Sequence, residues 1–263
     1  MEPDNPAELV TYAVNGGVAT VTLNSDANRN ALSTPLMRRL LNHFAAAADD
    51  DDVRVVVLSH AGRVFCSGAD LKETAAARKA GEVPAALLTE VLATMWSFDK
   101  PIIARVAGPA RAGGIGLIAA ADIAVCAAEA TFAFTEVRIG VIPAVISATV
   151  LPRLRPRDAA ELYLTGAVFD GRRAETIGLV TRAVPAVDVD IAVAGYAEDL
   201  GRGAPGAIAG AKRLLRAGRD DITTELAQLA ETSAEYFLSE EGREGVAAYA
   251  EKRDPAWVPT SKP

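Results

Sequence analysis

The stretch R-A-G-G-I-G-L-I-A-A-A-D runs from Arg111 to Asp122. Inside it, Gly114-Ile115-Gly116-Leu117-Ile118-Ala119 has the form G-x-G-x-x-A, with a strand-like run Pro101–Ala107 before it and an acid, Glu136, after it. In outline this is a dinucleotide fingerprint, strand then glycine turn then helix. Two spacings argue against that reading. A dinucleotide turn joins its strand almost directly to the first glycine, whereas Gly108-Pro109-Ala110-Arg111-Ala112 intervene here. The helix of such a unit must also cross back to a parallel strand, which takes about a dozen residues or more. Gly114–Ala121 is shorter than that, and Asp122 already opens the next strand. A Walker loop is excluded as well, because the loop holds no Gly-Lys-Ser/Thr.

A short helix after glycines has another use. Its first amides lack intrahelical acceptors, its dipole favours negative charge there, and glycine lets a ligand come close to the backbone. Such a site can hold a developing oxyanion. A second segment of the same kind, Phe65-Cys66-Ser67-Gly68-Ala69-Asp70-Leu71-Lys72, follows the apolar run Val53–Leu58 and leads into a helix. Two strand ends, each offering one backbone N–H, are able to grip one carbonyl oxygen from both sides. Taken alone, either segment reads equally well as an ordinary glycine turn.

Outward from these loops, the chain alternates strands and helices as far as Ala144. Asn15-Gly16-Gly17 turns a hairpin of Leu9–Val14 with Val18–Leu23. Ser33 with Pro35 starts a helix, and Leu36, Leu40, Phe44 and Ala48 recur four apart as one apolar stripe, ended by the acidic run Asp49–Asp52. Val53–Leu58, Pro101–Ala107 and Ile123–Cys126 read as buried strands. Leu87, Leu88, Val91, Leu92 and Met95 mark a further helix. This alternation predicts a parallel, βα-repeated sheet. Beyond it the sequence is mainly helical, with one short strand at Val180–Val184. The expected division is a core over 1–200 and a helical C-terminal region over 201–263.

Composition bounds the function. The chain has 263 residues, half of them hydrophobic but only 5% aromatic, which suffices for a large core packed with small aliphatic side chains. Net charge is −7 and no basic tract runs through the sequence, so nucleic acid is not an expected partner. Arg153, Arg155 and Arg157 cluster at the start of a helix and read as a solvated group. The acidic start M-E-P-D-N-P-A-E-L lacks the apolar segment of a signal peptide, and the longest apolar stretches fall short of a membrane span. A cytoplasmic protein without a membrane partner is expected. Two cysteines, Cys66 and Cys126, make no disulfide framework, and His43 and His60 stand alone, so neither a metal site nor a histidine triad is expected.

The two glycine segments together resemble the enoyl-CoA hydratase/isomerase family, the crotonase superfamily, and the resemblance covers nearly the whole chain. Asn30-Ala31-Leu32-Ser33 matches the segment after the first hairpin, Val53 to Glu73 the first oxyanion segment, and Pro101 to Val125 the second. F-A-F-T-E-V-R-I-G-V-I-P, Phe132 to Pro143, matches the segment with a catalytic glutamate. Leu164-Thr165-Gly166, Ile177-Gly178-Leu179-Val180 and the ending E-G-R-E-G-V-A-A-Y-A-E-K-R-D-P-A-W agree with it. The resemblance implies an α/β fold, a spiral of repeated ββα units with a helical C-terminal region that forms trimers or hexamers. It implies an acyl-CoA substrate whose thioester oxygen lies between the N–H groups of Ala69 and Gly113, with Glu136 as the catalytic acid/base. Ala69, Asp70, Leu71 and Lys72 match the stretch along the coenzyme A arm, and Arg29, Ala31, Ser67 and Gly113 join it as binding candidates. No separate cofactor is implied, since coenzyme A enters as part of the substrate.

The sequence departs from the family pattern at two points. Most hydratases of the family place a second glutamate on the short helix, and here that position is Gly116; the helix also begins with Ala112 where glycine is usual. One carboxylate remains. Glu136 sits beside an apolar Phe132/Phe134 segment, which should raise its pKa into the range useful for acid–base work. The segment E-V-R-I-G-V-I-P-A-V-I-S, Glu136 to Ser147, is similar to the branch that hydrates branched enoyl-CoAs. Hydration of a 2,3-enoyl-CoA is therefore the leading expectation. Double-bond isomerisation by Glu136 alone and acyl-CoA binding without turnover are the alternatives.

Overall fold

A computed structural model describes residues 8–70, 73, 74, 76, 85–218 and 221–259. Gly16 and Gly17, at φ +57° and +79°, make the tight turn between β1 (Val10–Asn15) and β2 (Val18–Leu23), whose register runs from Val10 opposite Leu23 to Asn15 opposite Val18. Positive φ at both turn positions is the reason glycine is needed there. β2 then pairs in parallel with β3 (Val55–His60), every residue of which is buried. β4 (Ile102–Val106), β6 (Ile123–Ala127) and β9 (Arg182–Val184) extend the ladder in parallel, giving a six-stranded sheet in the order β1-β2-β3-β4-β6-β9. Strands covered on both faces carry continuous apolar runs, and this is how β3, β4 and β6 announce themselves in the sequence.

A smaller sheet lies beside the large one. It contains β5 (Ala110–Arg111), β7 (Thr131–Ala133) and β8 (Phe169–Asp170), and single bridges pair Cys66 with Ala110 and Leu32 with Ala69 in parallel. From β2 to β7, each turn of the chain thus lays one strand in the large sheet and a short strand or bridge in the small one before a helical segment follows. That is the spiral of ββα units expected. The small sheet's strands are two or three residues long and have no period to read.

Helix α1 (Thr34–Asp49) is capped by Ser33, whose hydroxyl accepts from the Leu36 amide at 3.4 Å, and its stripe of Leu36, Met37, Leu40, Phe44 and Ala47 is buried against the sheet. Helix α2 (Ala85–Ser97) buries Val91, Leu92, Met95 and Trp96, and the eight-residue α3 (Gly113–Ala120) is buried along its whole length. The second half is helical as read: α4 (Ala144–Val150), α5 (Pro156–Thr165), α6 (Gly171–Ile177), α7 (Val189–Gly201), α8 (Pro205–Leu215), α9 (Ile222–Leu238) and α10 (Glu240–Glu251). α9 packs back on α2 and α4 of the same chain, with Ile222 and Leu226 in the core. Among the described residues no helix is long and apolar enough to cross a membrane.

Candidate active site

Two strand ends meet at the centre of the molecule. After β3 the chain is stitched to the segment before β5: the Phe65 amide donates to the Pro109 carbonyl at 3.0 Å and the Arg111 amide to the Cys66 carbonyl at 3.0 Å. Gly68 then turns at φ +94°, and a Cβ there would lie 2.9 Å from the Ala112 Cβ, so a side chain at 68 would push the two loops apart. Its carbonyl accepts from the Leu32 amide at 2.8 Å. The next residue, Ala69, has an amide with no acceptor among the described residues.

On the facing loop, Ala112 holds φ +47° and ψ −121°. For a residue with a Cβ this backbone costs on the order of 1–3 kcal/mol. The strain has a geometric result. Ala112 accepts with its carbonyl from Ile115 (2.9 Å) and Gly116 (3.3 Å), which starts α3 and leaves the Gly113 amide, like that of Ala69, without an acceptor among the described residues. A Cβ on Gly114 would lie 2.6 Å from the Cys66 Cβ, so the start of α3 fits against the first loop only as bare backbone. Ala69 and Gly113 line one cavity of about 130 Å3.

Glu136 lines the same cavity. It follows β7 through the fully buried Phe134, whose ring packs on Tyr163 at 4.7 Å, and it begins a single 3-10 turn over Glu136–Ile139. Gly140, at φ +70°, closes that turn by donating its amide to the Glu136 carbonyl. The Glu136 Oε2 atom is cut off from solvent and has no hydrogen-bond partner among the described residues. Loss of hydration pushes its pKa up to about 7, and only its own backbone amide works the other way. The apolar lining accounts for this: Val141, Ile142, Val145, Ile146 and Phe237 of α9 wall the same cavity. α10 clamps the turn from outside. A Cβ on Gly245 would lie 2.2 Å from the Ile139 carbonyl, and one on Gly140 would lie 2.2 Å from the Glu241 oxygen.

The place of a second carboxylate is occupied. A Cβ on Gly116 would stand 2.6 Å from Cγ2 of Ile146, so the isoleucine on α4 fills the space into which a side chain at 116 would grow. The Thr149 hydroxyl, one turn further on, donates to the Gly116 carbonyl at 3.1 Å. Glycine at 116 and isoleucine at 146 are one packing solution.

Of the residues singled out in the sequence, Ala69, Asp70, Gly113 and Glu136 come together in the cavity wall. Asp70 caps the following helical turn, its Oδ1 accepting from the Glu73 amide at 3.1 Å. Ser67 lies behind the wall, with its amide on the Arg29 carbonyl at 3.1 Å. Arg29 is exposed in a left-handed conformation, φ +57°, and Ala31 is buried beside it; neither reaches the cavity wall. Leu71 and Lys72 lie outside the described residues. Arg138 is spent on the Thr165 carbonyl, at 3.1 and 3.3 Å. His60 accepts the Ala107 amide and His43 bonds the Val10 carbonyl, each at 3.1 Å. Among the described residues no cluster of His, Cys, Asp or Glu is placed to hold a metal. Sequence reasoning missed Ile146, Ser233 and Phe237. The last two are four apart on α9 and share a face, but no local signal says which cavity that face covers.

Known proteins resemble this chain along most of its length. The family of enoyl-CoA hydratases/isomerases matches residues 13–260. The crystal structure of an enoyl-CoA hydratase from Mycobacterium avium is 45% identical, superposes with a TM-score of 0.86, and covers 95% of this chain and 99% of its own. The chain is 32% identical over 239 residues to carnitinyl-CoA dehydratase of Proteus mirabilis (strain HI4320), which spans 87% of this chain and 90% of that protein. It is 31% identical over 245 residues to 2,3-dehydroadipyl-CoA hydratase of Escherichia coli (strain K12), spanning 90% of this chain and 94% of that protein.

Proposed function

The chain belongs to the enoyl-CoA hydratase/isomerase family, and we propose that it adds water across the 2,3 double bond of an acyl-CoA thioester with Glu136 as the single acid/base. One observation carries this reading: an unpartnered, desolvated Glu136 carboxylate oxygen lines the same cavity as the two open amides of Ala69 and Gly113. The thioester oxygen accepts from both amides. Water attacks C3 while Glu136 takes one of its protons, and the electron pair of the double bond moves through C2 onto the thioester oxygen. The two N–H groups stabilise that enolate, and losing one such donor costs about 3–4 kcal/mol of barrier. Protonated Glu136 then returns the proton to C2, so the atoms of one water are added and the carboxylate is restored. No further cofactor enters; coenzyme A arrives with the substrate.

A second reading is favoured by Ile146. With the space above Gly116 filled by a hydrocarbon, the desolvated Glu136 carboxylate suits proton transfer from C2 to C4 of a 3-enoyl-CoA, which needs no water. Following the conjugated enoyl-thioester absorbance separates the two. Loss of the signal from crotonyl-CoA or a branched 2-enoyl-CoA, slowed about a hundredfold or more in Glu136→Gln, is the expected result. No loss on any 2-enoyl-CoA, with a gain of absorbance on a 3-enoyl-CoA, replaces hydration by isomerisation. Binding without change on either makes the protein an acyl-CoA-binding module.

A further inference from the structure

A second cavity, of about 160 Å3, opens at the opposite end of α3 from the Gly113 amide. Its wall contains Trp96, Asp122, Arg153, Lys212 and Arg216. Asp122 is fully committed: Oδ2 accepts from the Lys212 ammonium at 2.6 Å and from the Ile102 amide at 2.8 Å, and Oδ1 from the Arg216 guanidinium at 2.6 Å. Arg153 is not the solvated residue that the sequence suggested. It is half-buried, with Nε and Nη2 on the Ala119 and Ala121 carbonyls at 3.1 and 2.9 Å, where its charge also meets the negative end of α3. Both guanidinium groups lie on the Trp96 ring, Arg216 at 4.7 Å and Arg153 at 5.6 Å from its centroid.

Three cations therefore share one carboxylate. The next acid in line, Asp99, is exposed and bonds the exposed Arg213 at 2.9 Å. Lys212 is only 7% exposed, and an uncompensated charge held out of water is costly. The strain registers on all three: desolvation lowers the pKa of Arg153 and Arg216, and brings Lys212 down to about 8. Donors remain to meet an anion, since Nη1 of Arg153 and Nε and Nη1 of Arg216 have no acceptor among the described residues. Paired, stacked guanidinium groups with an ammonium beside them suit an oxyanion with several acceptor oxygens.

We infer that this cavity binds a phosphate-type oxyanion, free or as the phosphoryl end of a small molecule, between Arg153, Arg216 and Lys212. The excess of positive charge favours a dianion over a single carboxylate. Inorganic phosphate is the probe, read by thermal melts against chloride at matched ionic strength and by broadening of the phosphorus NMR line. The wild type should show saturable stabilisation by phosphate. Arg216→Gln and Arg153→Gln should each weaken it at least tenfold, while Arg202→Gln, an exposed arginine beyond the end of α7, should not. A response no larger than that to chloride overturns the proposal. So does an equal response in Arg216→Gln, which would place the phosphate elsewhere, the acyl-CoA cavity included. If the arginine variants do not fold, line broadening in wild type saturated with an acyl-CoA decides: persistence supports this cavity, and disappearance overturns it. Displacement of phosphate by a nucleoside monophosphate identifies a phosphoryl ligand, and its failure identifies the free ion; either supports the site. A change of oligomeric state in Arg216→Gln without any phosphate response would mean that a second copy fills the cavity, and sinks the idea.

Discussion

At the scale of residues, two positions carry energies that ordinary packing would not select. Glu136 is the first. Its pKa is raised from 4.5 to about 7, so between those values the folded chain holds a proton that the unfolded chain has released. The stability tied to this group is full below about pH 4.5 and is lost as pH rises through about 7. Activity needs the ionised form, so kcat/KM should climb with pH and level off above about 7. Glu136→Gln should remove both dependences: its melting temperature should exceed that of the wild type at pH 8 and approach it at pH 5. A wild-type rate that is flat from pH 5 to 8 would refute the assignment. Ala112 is the second. At φ +47° it pays for the orientation of the Gly113 amide with backbone strain, so Ala112→Gly should stabilise the protein by about 1 kcal/mol in chemical denaturation, opposite to the usual sign of a glycine substitution.

At the scale of elements, the site depends on close approach between segments far apart in sequence. α10 touches the Glu136 turn through Gly245, where a Cβ would strike the Ile139 carbonyl, a backbone group that cannot rotate away. Gly245→Ala should cost about 1–3 kcal/mol and, because the turn must shift, should also move the pH midpoint of activity. A stability loss with an unchanged midpoint would show that α10 supports the turn without setting its geometry. Along the sequence, period and capping made the long helices and central strands legible, down to Ser33 as a cap and Gly16-Gly17 as a turn. Element ends were less so. The apolar run begins at Val53, yet the ladder begins at Val55, because pairing with Val18 sets the register and hydrophobicity does not. Strands β5, β7 and β8 had no readable signal, since two or three residues cannot display an alternation.

At the scale of the whole molecule, Asp122 ties the helical half to the sheet. It follows α3, holds the first amide of β4, and receives Lys212 from α8, whose ammonium also reaches the Lys100 carbonyl at 2.8 Å. Asp122→Asn keeps the shape but leaves three cations without their carboxylate, and a loss of about 3–5 kcal/mol on urea unfolding is expected. A loss under about 1 kcal/mol would mean that the cations move out to solvent at little cost. Leu164, Val168, Val187, Ile191, Leu214 and Leu215 stand exposed on the helical half. Light scattering is expected to report an assembly of three or six copies, and a monomer would contradict that.

The sequence by itself determined the βα alternation, the buried strands, the two glycine loops and the glutamate at 136, because each is written in local period, turn chemistry or spacing. Only the tertiary structure decided what those parts face. Gly116 is explained by Ile146, thirty residues away, and the pKa of Glu136 by a wall drawn from α4 and α9. Arg153 looked solvated beside its neighbours, yet it ends on the carbonyls of α3. Burial, charge balance and the space left for a side chain are properties of what the fold brings near, and no stretch of sequence contains its own neighbours.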